Sequence, residues 1–343
     1  MAVRIVRSVA VTDVYAAGGG IAHELSPVPY TITRIEWHIE ANLTTSAAPG
    51  TSQDWLWRLV PSLSLSSPLG NHLTLGDLRP LHFENRLRWG SQFTTPSAPG
   101  ATATGVVKRA MLRFDAGVNP QDPWDLTGGL PAHLGNLSLA GTWAAATQLG
   151  SGYTVNAGTL MRTKLYGVLP EMDGEAIPRA IPVVQTYQPQ PSANSASLGS
   201  TWNFPKGHYL HSIVVMPAAG VRPADNRTDT ALLDIGIGLP VAGNRQPYYD
   251  TWYSFKQEQR YSGISEDDGA TFGVPTVAAE GDVGVGYLPI ARLAAGGHPL
   301  YGVDNRNAGE GDTQLLFGVT NAANLSIWLL TRHYDLNPAA GGT

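Results

Sequence analysis

Nine histidines are spread along the chain, and the chemistry they would bring on converging is metal ligation through imidazole nitrogens. His208 and His211 stand three apart, a spacing that sends them to opposite faces of an extended segment and cannot chelate one ion. His72 and His82 have no partner at helical spacing, and no His-x-His pair occurs. No metal site is expected. Among the carboxylates, Glu266-Asp267-Asp268-Gly269 gathers three acids before a glycine. Such oxygen ligands suit calcium, but the alternating Asp ladder of an EF-hand loop is absent, and the segment reads as a solvated acidic loop. Asp225 and Asp229 flank Arg227 in a charged turn. The paired carboxylates of a glycoside hydrolase are defined by separation in space, and no local pattern points to them.

Nucleophile and nucleotide chemistry fare no better. There is no Gly-x-Ser-x-Gly elbow and no phosphate-binding Gly-x-x-x-x-Gly-Lys-Ser/Thr loop. Gly281-Asp282-Val283-Gly284-Val285-Gly286 departs from the dinucleotide fingerprint and reads as a β segment. The absence of cysteine removes thiolate ligands, disulfides and Cys nucleophiles together. The reading is therefore of a chain that is not an enzyme, with no catalytic residue and no cofactor. A net charge of -5 gives no electrostatic reason for sequence-specific nucleic-acid binding. No stretch approaches the roughly 20 apolar residues of a membrane span, and the N-terminus lacks the apolar region of a signal peptide, so a cytoplasmic origin is expected.

Aromatic residues are the remaining candidates, with 9 Trp and 13 Tyr. Trp37, Trp143 and Trp328 lie within strand patterns and belong to cores. The cluster Tyr248-Tyr249-Asp250-Thr251-Trp252-Tyr253-Ser254-Phe255 serves either a core or a subunit interface, since such side chains join a large apolar area to a polar tip. Tyr248, Tyr249, Trp252, Tyr253 and Phe255 are its candidate interface residues.

What must position these residues is a set of strands. With 39 Gly, 25 Pro and only 14% charged residues, the composition favours short strands joined by tight turns over long helices. A hydrophobic fraction of 43% is enough to bury a core. One block of pattern appears twice. The run Ile32-Thr33-Arg34-Ile35-Glu36-Trp37-His38-Ile39 is followed, after a polar spacer, by Leu59-Val60-Pro61-Ser62-Leu63-Ser64-Leu65. Tyr209-Leu210-His211-Ser212-Ile213-Val214-Val215-Met216 is followed in the same way by Leu232-Leu233-Asp234-Ile235-Gly236-Ile237-Gly238-Leu239. Leu81 to Trp89 reads equally as strand or short helix, and the Tyr248 to Phe255 cluster occupies the matching place in the second half. Trp55-Leu56-Trp57 is expected to open a strand.

About eight strands are counted in the first half, the number a jelly roll needs. Residues 173–200 carry Pro178, Pro182, Pro189 and Pro191 among polar residues and read as an extended linker. The expected organisation is all-β: a first jelly roll over residues 1–172 with a short N-terminal arm, the linker, and a second jelly roll over residues 201–343.

This order of elements resembles the double jelly-roll major capsid proteins of the tailless bacteriophage and adenovirus lineage. The resemblance is carried by Ile35 to Leu43, by the Leu232 to Leu239 strand after Arg227-Thr228-Asp229, by the closing strands of each half and by the linker. It implies two eight-stranded rolls, a homotrimer of pseudo-hexameric outline, contacts with neighbouring capsomers and with minor capsid and vertex proteins, and a place in the virion shell after assembly in the host cytoplasm. It also implies an inner surface facing an internal lipid membrane or a genome, where Arg4 and Arg7 would suit an anionic membrane. Two rivals are a carbohydrate-binding or carbohydrate-cleaving β-sandwich protein such as a phage spike, and a minor capsid or penton component. The repetition argues against the latter, which needs one roll per copy.

Overall fold

The computed structural model describes residues 4–25, 30–89, 95–119, 121–131, 135–169, 178–191, 194–220, 225–241, 244–262, 283–293, 300–305, 313–320 and 325–336. The acidic cluster at Glu266 lies outside the described residues, as do Gly281 and Asp282 of the Gly281 to Gly286 segment. The chain divides into two compact units, Met1–Gln185 with Asp335–Thr343, and Thr186–Tyr334.

The first unit contains β1 (Arg4–Val14), β2 (Gly20–Leu25), β3 (Thr31–Thr51), β4 (Ser62–Ser67), β5 (Gly70–Leu75), α1 (Arg79–Trp89), β6 (Val106–Asp115), β7 (Leu130–Pro131), β8 (Leu137–Thr142), β9 (Gly150–Val155), β10 (Leu160–Val168) and β11 (Ala180–Tyr187). One sheet runs β1-β10-β3-β6, and a second runs β5-β4-β8-β2 with β11 added in parallel beside β5. On β3 the side chains alternate: Ile35, Trp37 and Ile39 are wholly buried, while Glu36, His38 and Glu40 point the other way. Each of those buried side chains contributes about 1.5–3 kcal/mol by leaving water. Leu63, Leu65, Leu73, Leu137 and Leu139 do the same for the second sheet, so both sheets present one apolar side, as a sandwich requires.

The second unit holds β12 (Ser195–Asn203), β13 (Tyr209–Ala219), β14 (Asn226–Arg227), β15 (Leu232–Val241), β16 (Asn244–Thr251), α2 (Trp252–Tyr261), β17 (Gly286–Leu288), α3 (Ile290–Leu293), β18 (Val303–Asp304), β19 (Gln314–Val319) and β20 (Leu325–Leu336). One sheet runs β12-β19-β15-β16, and β13 pairs with β20 on one flank and with the short β14, β17 and β18 on the other. Its core gathers Ile213, Val215, Ile235, Ile237, Trp252, Phe255, Leu315, Phe317 and Ile327.

Five antiparallel pairings of the first unit recur in the second. They are β3–β10 as β13–β20, β3–β6 as β13 with β17 and β18, β4–β5 as β15–β16, β4–β8 as β15–β19, and β2–β8 as β12–β19. The helices α1 and α2 follow corresponding strands. The doubled sequence pattern is thus a doubled topology.

Two segments depart from the sequence reading. Trp55 to Leu59 forms a 3-10 helix rather than the start of a strand. Asp54 turns the chain at φ 53° and all five helical residues are buried, whereas a strand would put alternate ones on a wet face. The stretch read as a linker carries β11 and β12. There Val184 and Gln185 of β11 pair in parallel with Leu73 and Thr74 of β5.

Candidate assembly surfaces

With no cluster of His, Cys, Asp or Glu able to hold a metal among the described residues, the candidate sites are surfaces. The first is the outer side of β1-β10-β3-β6. Strand register places Tyr166, Arg34 and Asp115 in one row across it, Lys164, Glu36 and Arg113 in the next, Arg162, His38 and Met111 in a third, and Leu160, Glu40 and Arg109 in a fourth. Period-two alternation makes this inevitable once the apolar set faces the core.

The rows differ in cover. Residues 121–127 lie over the first, with the Thr33 hydroxyl donating to the Pro123 carbonyl and Trp124 meeting Tyr166 edge-on at 5.9 Å. Beneath them Arg34 Nε reaches Asp115 Oδ1 at 2.6 Å and Arg113 Nε reaches Asp115 Oδ2 at 2.9 Å, all buried. Charges there are tolerable because each is paired. Glu36 is also buried, which alone would push its carboxyl up; His38 at 3.2 Å and the Tyr166 hydroxyl at 3.1 Å outweigh burial and hold it below its ordinary value. The last rows stand in solvent. Arg109 Nε and Arg162 Nη1 share Glu40 Oε2 at 3.0 and 3.1 Å, with Arg109 70% and Arg162 41% exposed. The Arg109 hydrogen bond, followed by that of Arg162, holds the Glu40 carboxyl below its usual range.

Arg4 does not extend away as an arm. It sits in β1 opposite Val168, exposed, with its guanidinium 5.7 Å from the centre of the Trp124 ring. Arg7 is paired in the same strand with Leu165.

The second surface is the β16–α2 junction. The five candidate aromatics divide there. Trp252 and Phe255 are core residues, and Trp252 Nε1 donates to Asp229 Oδ1 at 2.8 Å. They face inward because α2 begins at Thr251, whose side chain caps the Ser254 N–H, and the i, i+3 spacing then sets both rings on one side. Tyr248 is half-buried against the same core and its hydroxyl donates to Glu258 Oε2 at 2.7 Å. Burial first, then Glu258, raises its pKa. Tyr249 and Tyr253 point outward, 64% and 53% exposed, and Tyr261 at the helix end is 90% exposed. Sequence spacing alone did not separate the two pairs, since the switch from strand to helix falls between them.

Both helices close a strand edge. In the first unit Asn85 of α1 accepts the Arg113 N–H and donates to the Arg113 carbonyl, each at 2.8 Å, so one amide does the work of a neighbouring strand along edge strand β6. In the second, Lys256 and Gln259 of α2 donate to the carbonyls of Val285 and Tyr287 beside and within β17. Open edges invite unwanted strand addition, and closed ones direct contact to faces. Neither residue set carried a signal in the sequence.

No protein-family model matches the chain, and no curated protein sequence does. Solved structures match it in shape. It is similar to the major capsid protein of Sulfolobus turreted icosahedral virus, with a TM-score of 0.71 at 14% identity over 97% of this chain and 97% of that one. It is similar to the PBCV-1 virus capsid, with a TM-score of 0.61 at 14% identity over 100% and 97%. The major capsid protein of bacteriophage PM2 gives 0.53 at 9% identity over 99% and 100%. The fold is the double jelly roll of these shells.

Proposed function

We propose that this chain is the major capsid protein of an icosahedral virus, assembling as a homotrimer whose six rolls give a pseudo-hexameric building block of the virion shell. The observation that carries the reading is the doubled topology, the same five pairings and the same following helix in each unit. It is supported by whole-length likeness in fold to viral capsid proteins. Two rolls per chain let three chains fill a six-sided position, a geometric purpose that a single binding or catalytic pocket would not need. The carbohydrate-binding alternative is not favoured by that likeness, and the role proposed here is structural rather than enzymatic.

The partners in this reading are further copies, neighbouring capsomers, and minor capsid and vertex proteins, with assembly in the host cytoplasm and residence in the virion. The two rolls are taken to join through residues 173–200. Arg4 and Arg7 are proposed to face an anionic inner membrane, a role supported for Arg4 by its exposure. Flotation with vesicles of anionic lipid tests this: reversal of both arginines to Glu is expected to abolish co-flotation, and undiminished binding would remove the role. The capsid reading itself is tested by native mass. A particle of three times 36.4 kDa is expected, and a monomer at assembly concentrations would contradict it.

A further inference from the structure

We infer that the tyrosine-bearing β16–α2 junction of one copy docks on the arginine-bearing outer sheet of the first unit of the next copy. The inference rests on the shell-forming reading and names the surfaces by which that reading would be realised.

The charges of the two surfaces are complementary. Across the outer side of β10-β3-β6 the cations are the buried Arg34 and Arg113 and, further out, Arg109, Arg162 and Lys164, against the carboxylates Glu36, Glu40 and Asp115. Glu40 serves two guanidiniums at once, so the exposed rows keep positive charge and free donor capacity, since a guanidinium has five N–H groups. At the junction, Tyr249 and Tyr253 are exposed beside Asp250 and Glu258; of the two cations of the helix, Lys256 is buried and bonded to the Val285 carbonyl, and Arg260 is half-buried in its last turn, away from Tyr249 at the strand end. The junction therefore offers aromatic faces and carboxylates, the groups that guanidiniums favour.

The chain already uses this chemistry within itself. Arg34 and Lys164 lie 5.6 and 5.0 Å from the centre of the Tyr166 ring. Arg109 and Arg162, further along the same sheet, have no such aromatic cover among the described contacts and stand in solvent. Tyr and Arg are enriched at the centres of interfaces, and exposed tyrosines concentrated in one segment mark such a centre better than scattered ones do. A contact between two different surfaces of one chain is heterologous, and a heterologous contact closes into a ring when the rotation from copy to copy is a whole fraction of a turn, as in a trimer.

The test replaces Tyr253 with photoreactive p-benzoylphenylalanine, mixes isotopically light and heavy chains, irradiates the assembled protein and maps the adducts by mass spectrometry. Adducts joining light to heavy chains at residues 107–111 or 160–164 are expected. A companion variant, Arg109→Glu, is expected to weaken assembly at least tenfold, with recovery on adding Glu258→Arg in the same chain and an unchanged near-ultraviolet circular dichroism spectrum. Assembled particles whose adducts fall elsewhere on the neighbour or on another protein would overturn the inference while leaving the capsid reading intact. A chain that never oligomerises before irradiation would remove both.

Discussion

Asn85 shows how one side chain can carry an element's worth of bonding. Its amide satisfies both backbone groups of Arg113 at 2.8 Å, and both residues are buried. Leucine in its place would leave a buried N–H and a buried carbonyl without partners, each costing about 1–3 kcal/mol. Asn85→Leu is therefore expected to lower stability by about 2–4 kcal/mol in a denaturant titration; a loss below about 0.5 kcal/mol would mean that other groups hold this edge. His333 makes a second residue-scale case. Burial first, and nearby His208 second, push its pKa down to about 3, and its Nε2 lies 2.8 Å from the Thr331 hydroxyl. An unfolded histidine titrates near 6.5, so as pH falls the unfolded chain takes up the proton first. The stability this neutral ring contributes is full above about pH 6.5 and is lost progressively toward about pH 3. The melting temperature of His333→Phe is accordingly expected to fall less between about pH 7 and about pH 4 than that of the parent; parallel falls would contradict the assignment.

At the scale of elements, α1 and α2 do corresponding work in the two units with different residues. The sequence sets both at corresponding positions, and Leu81 to Trp89 reads there equally as strand or short helix. Its Leu81, Phe83 and Leu87 are all buried, which fits strand alternation from Leu81 to Phe83 and helical spacing from Phe83 to Leu87 at once. The long strands β3, β13, β15 and β20 were legible because their apolar runs are long enough to show against the turn residues some of them contain, such as Gly236 and Gly238 in β15. The short β14 and β18, of two residues each, were not, since so few residues carry no period. Trp252 ties α2 to the core and to Asp229. Its replacement by alanine combines a large cavity with a broken buried hydrogen bond, so Trp252→Ala is expected to cost about 3–5 kcal/mol. Chemical denaturation monitored in the second unit checks this, and a cost under about 1 kcal/mol would show that α2 is held by other contacts.

For the whole molecule, the doubled pattern read from Ile32 to Leu65 and from Tyr209 to Leu239 is the pair β3–β4 set against β13–β15. That much of the architecture was legible because long apolar strands record both their period and their order. The assembly surfaces were only partly so. Tyr248 to Phe255 was found as a cluster, but which rings face out depends on where β16 becomes α2. The arginine face emerges only when register sets β3, β6 and β10 side by side. Electron microscopy of the purified oligomer tests the central claim most directly. Particles of threefold symmetry with six lobes in a hexagonal outline are expected; a population of isolated monomers at assembly concentrations would contradict the proposed role.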